Sequence, residues 1–246
     1  VLNVPDGFVF LDSQSTKHLL VEYWDNPQEK LEGVLGTIVK ADAGIFYNVE
    51  TAYVVSYDNC GYVSDEDAAN IDYNALLKEM QDGVKEENKK NPSGQKWELL
   101  GWGWTPTYDY QKKVLAWSKH YRVGGENEVI NYDVRVLGKA GVVVITAVAS
   151  PEAKSQLMVD NTAIINSITY DSGYKYSDFN PDTDHVAEWT IGGLIAGKVL
   201  AKAGIWAVLA KFSKLIIIAI IGFFAVISKK ITRWLGLGKK DDENSD

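Results

Sequence analysis

The first 186 residues alternate between the hydrophobic period of strands and that of helices. Apolar residues at every second position, bounded by turn residues, predict strands at 8–11, 34–40, 46–57, 96–104, 113–122, 129–137 and 142–149. A period of three to four residues predicts helices at 12–24, 65–90 and 150–167. Because the last four strands follow one another directly, the pattern indicates an α+β domain, with helices packed against one antiparallel sheet.

The end of the chain carries a different pattern, a continuous apolar run with no polar face. Residues 215–228 contain no charge, and their extension over 212–230 adds lysines at both ends. This length is close to the ~20 residues that a membrane-spanning helix needs. Trp206 and Trp234 lie on either side, where interfacial aromatic residues belong. The pattern predicts a transmembrane helix at 212–230 and a short charged tail at 231–246, with the lipid bilayer as a partner.

The glycine-rich segment 187–211, between the soluble domain at 1–186 and the predicted span, allows three interpretations. Gly193, Gly197 and Ala201 are four residues apart, a spacing that places small residues on one helix face for helix–helix association. Lys198 and Lys202 would be costly at the centre of a bilayer. They favour an amphipathic helix at the membrane surface over the first span of a hairpin. A helix docked on the soluble domain is the third interpretation.

The charges are distributed unevenly. Residues 1–186 hold 16 Lys and Arg against 28 Asp and Glu, whereas residues 187–246 hold 9 against 5. Contact with nucleic acid requires clustered basic residues, so the acidic domain argues against a nucleic-acid partner. More basic residues follow the predicted span than immediately precede it, which places the tail in the cytoplasm and residues 1–186 outside it for a single span.

Few residues suggest metal or nucleophilic chemistry. Cys60 is the only cysteine, so the chain has no internal disulfide and no cysteine-based zinc site. The three histidines show no ligand spacing, and no G-x-S-x-G motif is present. Cys60 and His120 are the only Cys–His pair of interest, and nothing in the sequence brings them together. We therefore predict no cofactor, no metal and no catalytic residue.

Two groups of residues are candidates for a binding face. Trp102 and Trp104 are predicted to share one strand face and, with Tyr108, would form an aromatic surface for sugars or peptides, although tryptophans on adjacent strands are more often core. The second group is the acidic turn that contains Asp58, Asp65 and Asp67. Ser64 followed by Asp67 resembles a capping box for the helix predicted at 65–90, which explains this turn better than ion binding does.

These features leave two functional hypotheses. The first is a non-enzymatic binding or scaffolding module that binds an envelope protein and forms a homo-oligomer through the glycine face. The second is a hydrolase or ligand-binding enzyme with a cleft near Trp102, Trp104 and the acidic turn at 58–67. The second requires a concave pocket in which carboxylates with raised pKa values lie beside the tryptophans.

Five stretches, in order along the chain, carry a resemblance to a known family. They are Pro-Asp-Gly-Phe at 5–8, GYVSDEDA at 61–68, NYDVRVLG at 131–138, YSDF at 176–179 and the glycine and alanine segment that begins at Gly192. With them the chain resembles a bacterial family of predicted membrane-anchored proteins that carry a domain of unknown function. The resemblance implies a signal peptide before Val1, a periplasmic domain and an inner-membrane anchor in a Gram-negative bacterium. It implies no activity. The order of the elements also resembles PsbP-like and Mog1-like α+β sandwiches.

Overall fold

The computed structural model of the chain describes residues 1–24, 31, 33–43, 51–90 and 96–197. The strands of this part are β1 Phe8–Leu11, β2 Val34–Lys40, β3 Tyr53–Asp58, β4 Tyr62–Ser64, β5 Trp97–Asp109, β6 Val114–Val123, β7 Asn127–Leu137, β8 Val142–Ala149 and β9 Val186–Thr190. The helices are α1 Ser13–Lys17, which continues as a π-helical turn at His18–Tyr23, α2 Tyr73–Lys90, α3 Lys154–Asn166 and α4 Ile191–Ala196.

Seven strands form one antiparallel sheet in the order β1-β2-β3-β8-β7-β6-β5. The run from β5 to β8 pairs consecutively, which confirms the predicted meander and the α+β class. β4 and β9 form a separate parallel pair, which the sequence analysis did not predict.

Helices cover both faces of this sheet. On the first face, α1, α2 and α4 pack against three apolar clusters, and on the second face α3 buries Leu157 and Ile164 against the central strands. Neighbouring residues such as Ile38 and Val39 belong to opposite faces because side chains alternate along a strand. Full burial of one such aliphatic side chain stabilises the fold by about 1.5–3 kcal/mol.

The long helix begins later than predicted. Residues 68–70 form a 3-10 turn, and α2 starts at Tyr73 because the Asp72 carboxylate accepts the N–H groups of Asn74 and Ala75, both at 3.0 Å. The predicted capping box is absent, since Asp67 binds a different helix. The strand predicted at 46–57 is β3, while residues 44–50 lie outside the described residues.

The folded domain extends past the predicted boundary at residue 186. β9 pairs with β4, and Ile191 and Ile195 of α4 are buried in the first-face core. α4 ends at Gly197, whose φ of 69° places it in the left-handed region that commonly terminates helices. The segment therefore starts as a short helix docked on the domain, the third of the three interpretations, and not as one continuous helix from residue 191.

The predicted remainder of that segment at 198–211, the span at 212–230 and the tail at 231–246 lie outside the described residues. Within the described residues, no helix has the length and apolar character needed to cross a membrane.

Candidate functional site

The structure separates the two tryptophans that were expected to share one strand face. Trp102 lies on the first face, where its Nε1 donates to the Tyr73 carbonyl at 3.3 Å. Trp104 lies on the second face, edge-on to the Tyr132 ring at 5.5 Å, with the Lys154 ammonium 5.3 Å from its centroid. The pairing register of β5 shifts between the two tryptophans. One extra residue in a strand reverses the alternation of side chains, so the prediction of a shared face is wrong.

Tyr108, by contrast, lies on the first face and contacts the acidic turn. Its hydroxyl donates to Asp65 Oδ2 at 2.8 Å, and the Lys113 ammonium lies 2.8 Å from the same oxygen. Lys113 also lies 4.7 Å from the ring centroid of Tyr176. Because Tyr108 and Lys113 flank the turn between β5 and β6, Asp65 fixes the tip of that hairpin to the segment after β4.

Electrostatics around Asp65 favour its ionised form. Burial alone would raise the pKa of this carboxyl, but the hydrogen bonds from Lys113 and Tyr108 outweigh it and leave the pKa below 3.8. The pKa of Tyr108 is raised, chiefly by burial and by its hydrogen bond to Asp65. The enzyme hypothesis required a carboxylate with a raised pKa at this position, and Asp65 shows the opposite shift.

Asp67 connects the same turn to α4. Its Oδ1 accepts the Ile191 N–H at 3.0 Å and its Oδ2 accepts the Gly192 N–H at 2.9 Å, while Thr190 Oγ1 accepts the Gly193 N–H at 3.2 Å. These are N–H groups of the first helical turn, which have no partner within the helix. We call the turn from Asp65 to Asp67, together with the groups that the two aspartate carboxylates bind, the acidic joint.

A shallow groove of about 330 Å³ lies beside the acidic joint. Its lining is Asp67, Asn70, Ile71, Asp72, Ala75, Leu76, Glu79 and Gly192. Neither Trp102 nor Trp104 lines it, and Asp58 lies elsewhere, at the end of β3. In the described residues, no group of three or more His, Cys, Asp or Glu side chains is arranged to hold a metal ion.

A buried charge cluster that was not predicted from the sequence lies at the centre of the first face. Asp133 lies 3.5 Å from the Lys119 ammonium and 3.3 Å from an Arg135 guanidinium nitrogen, and it accepts hydrogen bonds from Thr146 Oγ1 and Asn131 Nδ2. Each of these five side chains belongs to a residue that is at most 5% exposed. Burial lowers the pKa of Arg135, while Asp133 and, more weakly, Asp58 oppose that shift.

One signal for this cluster was present in the sequence. Asn131, Asp133 and Arg135 alternate with apolar residues in the stretch at 131–138 that carries the family resemblance. Alternation of polar and apolar residues ordinarily predicts that the polar face of a strand is solvated. Here the polar face is buried because helices pack on both sides of the sheet.

The remaining candidate residues are also placed by the structure. Gly193 is buried in α4 and Gly197 terminates that helix, so these two residues do not form the predicted helix–helix face, and Ala201 lies outside the described residues. Cys60 packs against the first-face core, whereas His120 points from the second face, 2.8 Å from Glu128. The two sides of the sheet therefore separate the only Cys–His pair considered.

The family model of DUF2167, described as proteins of unknown function, matches residues 1–225. The chain belongs to the DUF2167 family. The match confirms that this DUF2167 protein carries a domain of unknown function, and membrane anchoring and bacterial origin stay predictions. No curated protein matches the sequence.

Solved structures similar to this DUF2167 protein include cyanobacterial PsbP from Synechocystis, with a TM-score of 0.37 and 10% identity over 68% of this chain and 84% of that one. LpqN of Mycobacterium tuberculosis, a protein involved in cell envelope biogenesis, has a TM-score of 0.33 and 15% identity over 68% of this chain and 79% of its own. A Pseudomonas aeruginosa protein of unknown function, PA94, has a TM-score of 0.28 and 9% identity over 49% of this chain and 73% of its own. Similarity at this level transfers no activity or partner to the DUF2167 chain.

Proposed function

We propose that this chain is a membrane-anchored envelope protein whose folded domain lies outside the cytoplasm and serves as a non-enzymatic binding or scaffolding module. The apolar run at 212–230 provides the anchor, and the basic residues after it orient the chain. The net charge of −12 on residues 1–186, from 16 basic and 28 acidic residues, keeps the domain soluble beside the bilayer.

The observation that carries this proposal is the contact of Asp67 with α4. Both carboxylate oxygens bind the first turn of the helix that precedes the predicted anchor by 16 residues, counted from Ala196 to Phe212. Ile191, Leu194 and Ile195 are buried on the same side. β9 and α4 therefore hold the chain on the folded domain shortly before the predicted anchor begins. A scaffold that presents its domain at a defined place above a membrane requires such a connection.

Reporter fusions test the location. The chain with an N-terminal secretion signal would be fused to alkaline phosphatase or to a fluorescent protein that is dark when exported, after Gly197 and after Lys240. The first fusion follows Gly197 because β9 and α4 belong to the folded domain.

We expect phosphatase activity after Gly197 and fluorescence after Lys240. Phosphatase activity at both positions would indicate a two-helix hairpin instead of a single span. Fluorescence after Gly197 would contradict an extracytoplasmic domain and with it the proposal.

A further inference from the structure

The two edges of the seven-stranded sheet differ in how well their backbone groups are protected. At the β5 edge, α2 covers the first half of the strand with amide side chains. Asn88 donates to the Trp97 carbonyl at 2.6 Å and accepts the Trp97 N–H at 3.1 Å, and Gln81 donates to the Leu99 carbonyl at 3.0 Å. Pro106, further along the strand, has no N–H to offer. The first half of this edge is therefore protected against a further strand, and Pro106 interrupts the second half.

The β1 edge is open in the part of the chain that the structure describes. The Gly7 carbonyl accepts the Ala41 N–H at 2.9 Å, and this bond continues the β1–β2 ladder by one residue pair, so the backbone groups of Gly7 point toward β2. Because inward and outward backbone groups alternate in an antiparallel pair, those of Phe8 and Phe10 point away from β2. The Phe8 N–H is used by the Pro5 carbonyl. The Phe8 carbonyl and both backbone groups of Phe10 remain for a further strand.

Apolar side chains surround these open groups. Phe10 is 37% exposed and Val9 42%, and Leu35, at the irregular start of β2, is 53% exposed. Natural proteins usually protect edge strands with charge, proline or a covering element, because an apolar edge invites strand addition. β1 carries no charge and no proline between Phe8 and Leu11.

Acidic residues flank the open edge at both ends. Asp6 precedes β1, and Asp42 follows Ala41, whose N–H bonds to the Gly7 carbonyl. Asp12 follows β1, and its carboxylate also accepts the Ser15 N–H at the start of α1. A second copy paired antiparallel about Val9 would place Asp6 opposite Asp12 of the other copy, and like charges opposite each other destabilise a sheet. Lys40, which is paired with Phe8 in the sheet, lies 3.2 Å from Asp160 on the second face. The acidic residues at the two ends of β1 therefore favour a strand with basic residues at its ends.

We propose that the β1 edge binds an extended segment of a partner protein by strand addition, and that this segment has alternating apolar residues flanked by lysine or arginine. The partner strand bonds to the Phe8 carbonyl and the Phe10 backbone, its apolar side chains cover Val9 and Phe10, and its basic ends face Asp6, Asp42 and Asp12. This rests on the proposed function, since it names the chemistry of the binding module's partner.

A synthetic peptide tests this with the full chain in detergent. The probe is a fluorescein-labelled peptide of alternating valine and threonine with two lysines at each end, and its binding is followed by fluorescence anisotropy. Two matched peptides serve as controls, one with alternate backbone amides N-methylated and one with glutamates in place of the lysines. The protein variants are Phe10→Lys, the pair Asp6→Asn and Asp42→Asn, and Val159→Lys, which adds the same charge at a 68% exposed position on α3.

We expect saturable binding that weakens at least about tenfold in Phe10→Lys and is unchanged in Val159→Lys. The double asparagine variant should bind more weakly and lose much of its dependence on salt. N-methylation should abolish binding, which separates strand addition from a nonspecific apolar contact without altering the fold. The glutamate peptide should bind more weakly than the lysine peptide.

The proposal is overturned if the lysine peptide does not bind, if Phe10→Lys binds it as tightly as the unmodified chain does, or if the N-methylated peptide binds equally well. Equal binding of the glutamate peptide would overturn the charge preference. These readouts are independent of membrane orientation, so the reporter fusions can fail while strand addition holds, and the reverse.

Discussion

Two groups of charged residues on the same sheet face contrast with each other. The buried charge cluster around Asp133 is enclosed by the sheet and its helices, and the partners of Asp133 lie on its own strand β7 or on the adjacent strands β6 and β8. The acidic joint lies near the surface, and its two aspartates bind elements that are distant in sequence. Asp65 is 48 positions from Lys113, and Asp67 is 124 positions from Ile191.

Charged residues therefore have different roles in the buried charge cluster and in the acidic joint. In the buried charge cluster, ions removed from water are tolerated only because each lies next to an ion of opposite charge, and the net gain in stability from such a pair is small. In the acidic joint, carboxylates satisfy N–H groups and an ammonium at the boundary between elements, so they determine how those elements are held together. The first group belongs to the sheet and the second to the connections around it.

Removal of the central carboxylate of the buried charge cluster should have the largest effect. Asp133→Ala leaves Lys119 and Arg135 buried without their shared partner, which should lower the free energy of unfolding by about 3–5 kcal/mol. Urea denaturation of the full chain in detergent measures this. A loss below about 1 kcal/mol would show that water reaches these groups and that the cluster is not enclosed.

Removal of the Asp65 charge should have a smaller effect that depends on pH. Its pKa in the folded state lies below the unfolded value of 3.8, because the bonds from Lys113 and Tyr108 outweigh burial. A lowered pKa stabilises the fold at pH values above 3.8, and this contribution is lost as the pH falls through the folded-state pKa.

Asp65→Asn should therefore be less stable than the unmodified chain at neutral pH by about 1–2 kcal/mol, with the difference shrinking below pH ~4. Tyr108→Phe, which removes one of the two bonds, should cost less and follow the same trend. A difference between Asp65→Asn and the unmodified chain that grows on acidification would have the wrong sign for this account.

The smallest effect is expected at an exposed ion pair. Asp82 lies 3.1 Å from Lys85 on the outer side of α2, with both side chains more than half exposed. Asp82→Ala should change the free energy of unfolding by no more than about 0.5 kcal/mol, because solvent and salt screen such pairs. A change as large as that in Asp65→Asn would remove the distinction between the acidic joint and ordinary surface charges.

Local patterns predicted much of the fold. The bounds of β1, β2 and β8 agree with prediction, because strict alternation or a dense apolar run leaves little ambiguity over a short strand. The start of α2 was missed because acidic residues suit several positions before a helix, and only the structure shows that Asp72 is the cap. The two-residue offset of Trp102 and Trp104 predicted a shared face, and a bulge invisible in the sequence reversed it.

The acidic joint was beyond sequence reasoning for a different reason. Asp65, Asp67 and Tyr108 were all selected as candidates, but their partners are set by tertiary packing over long separations in the chain. β4 and β9 are too short to show a period, and their parallel pairing is what brings α4 to Asp67.

Hydrogen exchange at the start of α4 tests the central claim, that Asp67 holds this helix on the folded domain. The amides of Ile191, Gly192 and Gly193 would be compared in the unmodified full chain, in Asp67→Ala and in the control Asp82→Ala. We predict that Asp67→Ala accelerates exchange at Ile191 and Gly192 by about tenfold or more, since a lost cap costs ~1–2 kcal/mol, and that Asp82→Ala leaves it unchanged. Equal protection of these amides in Asp67→Ala and the unmodified chain would contradict the account.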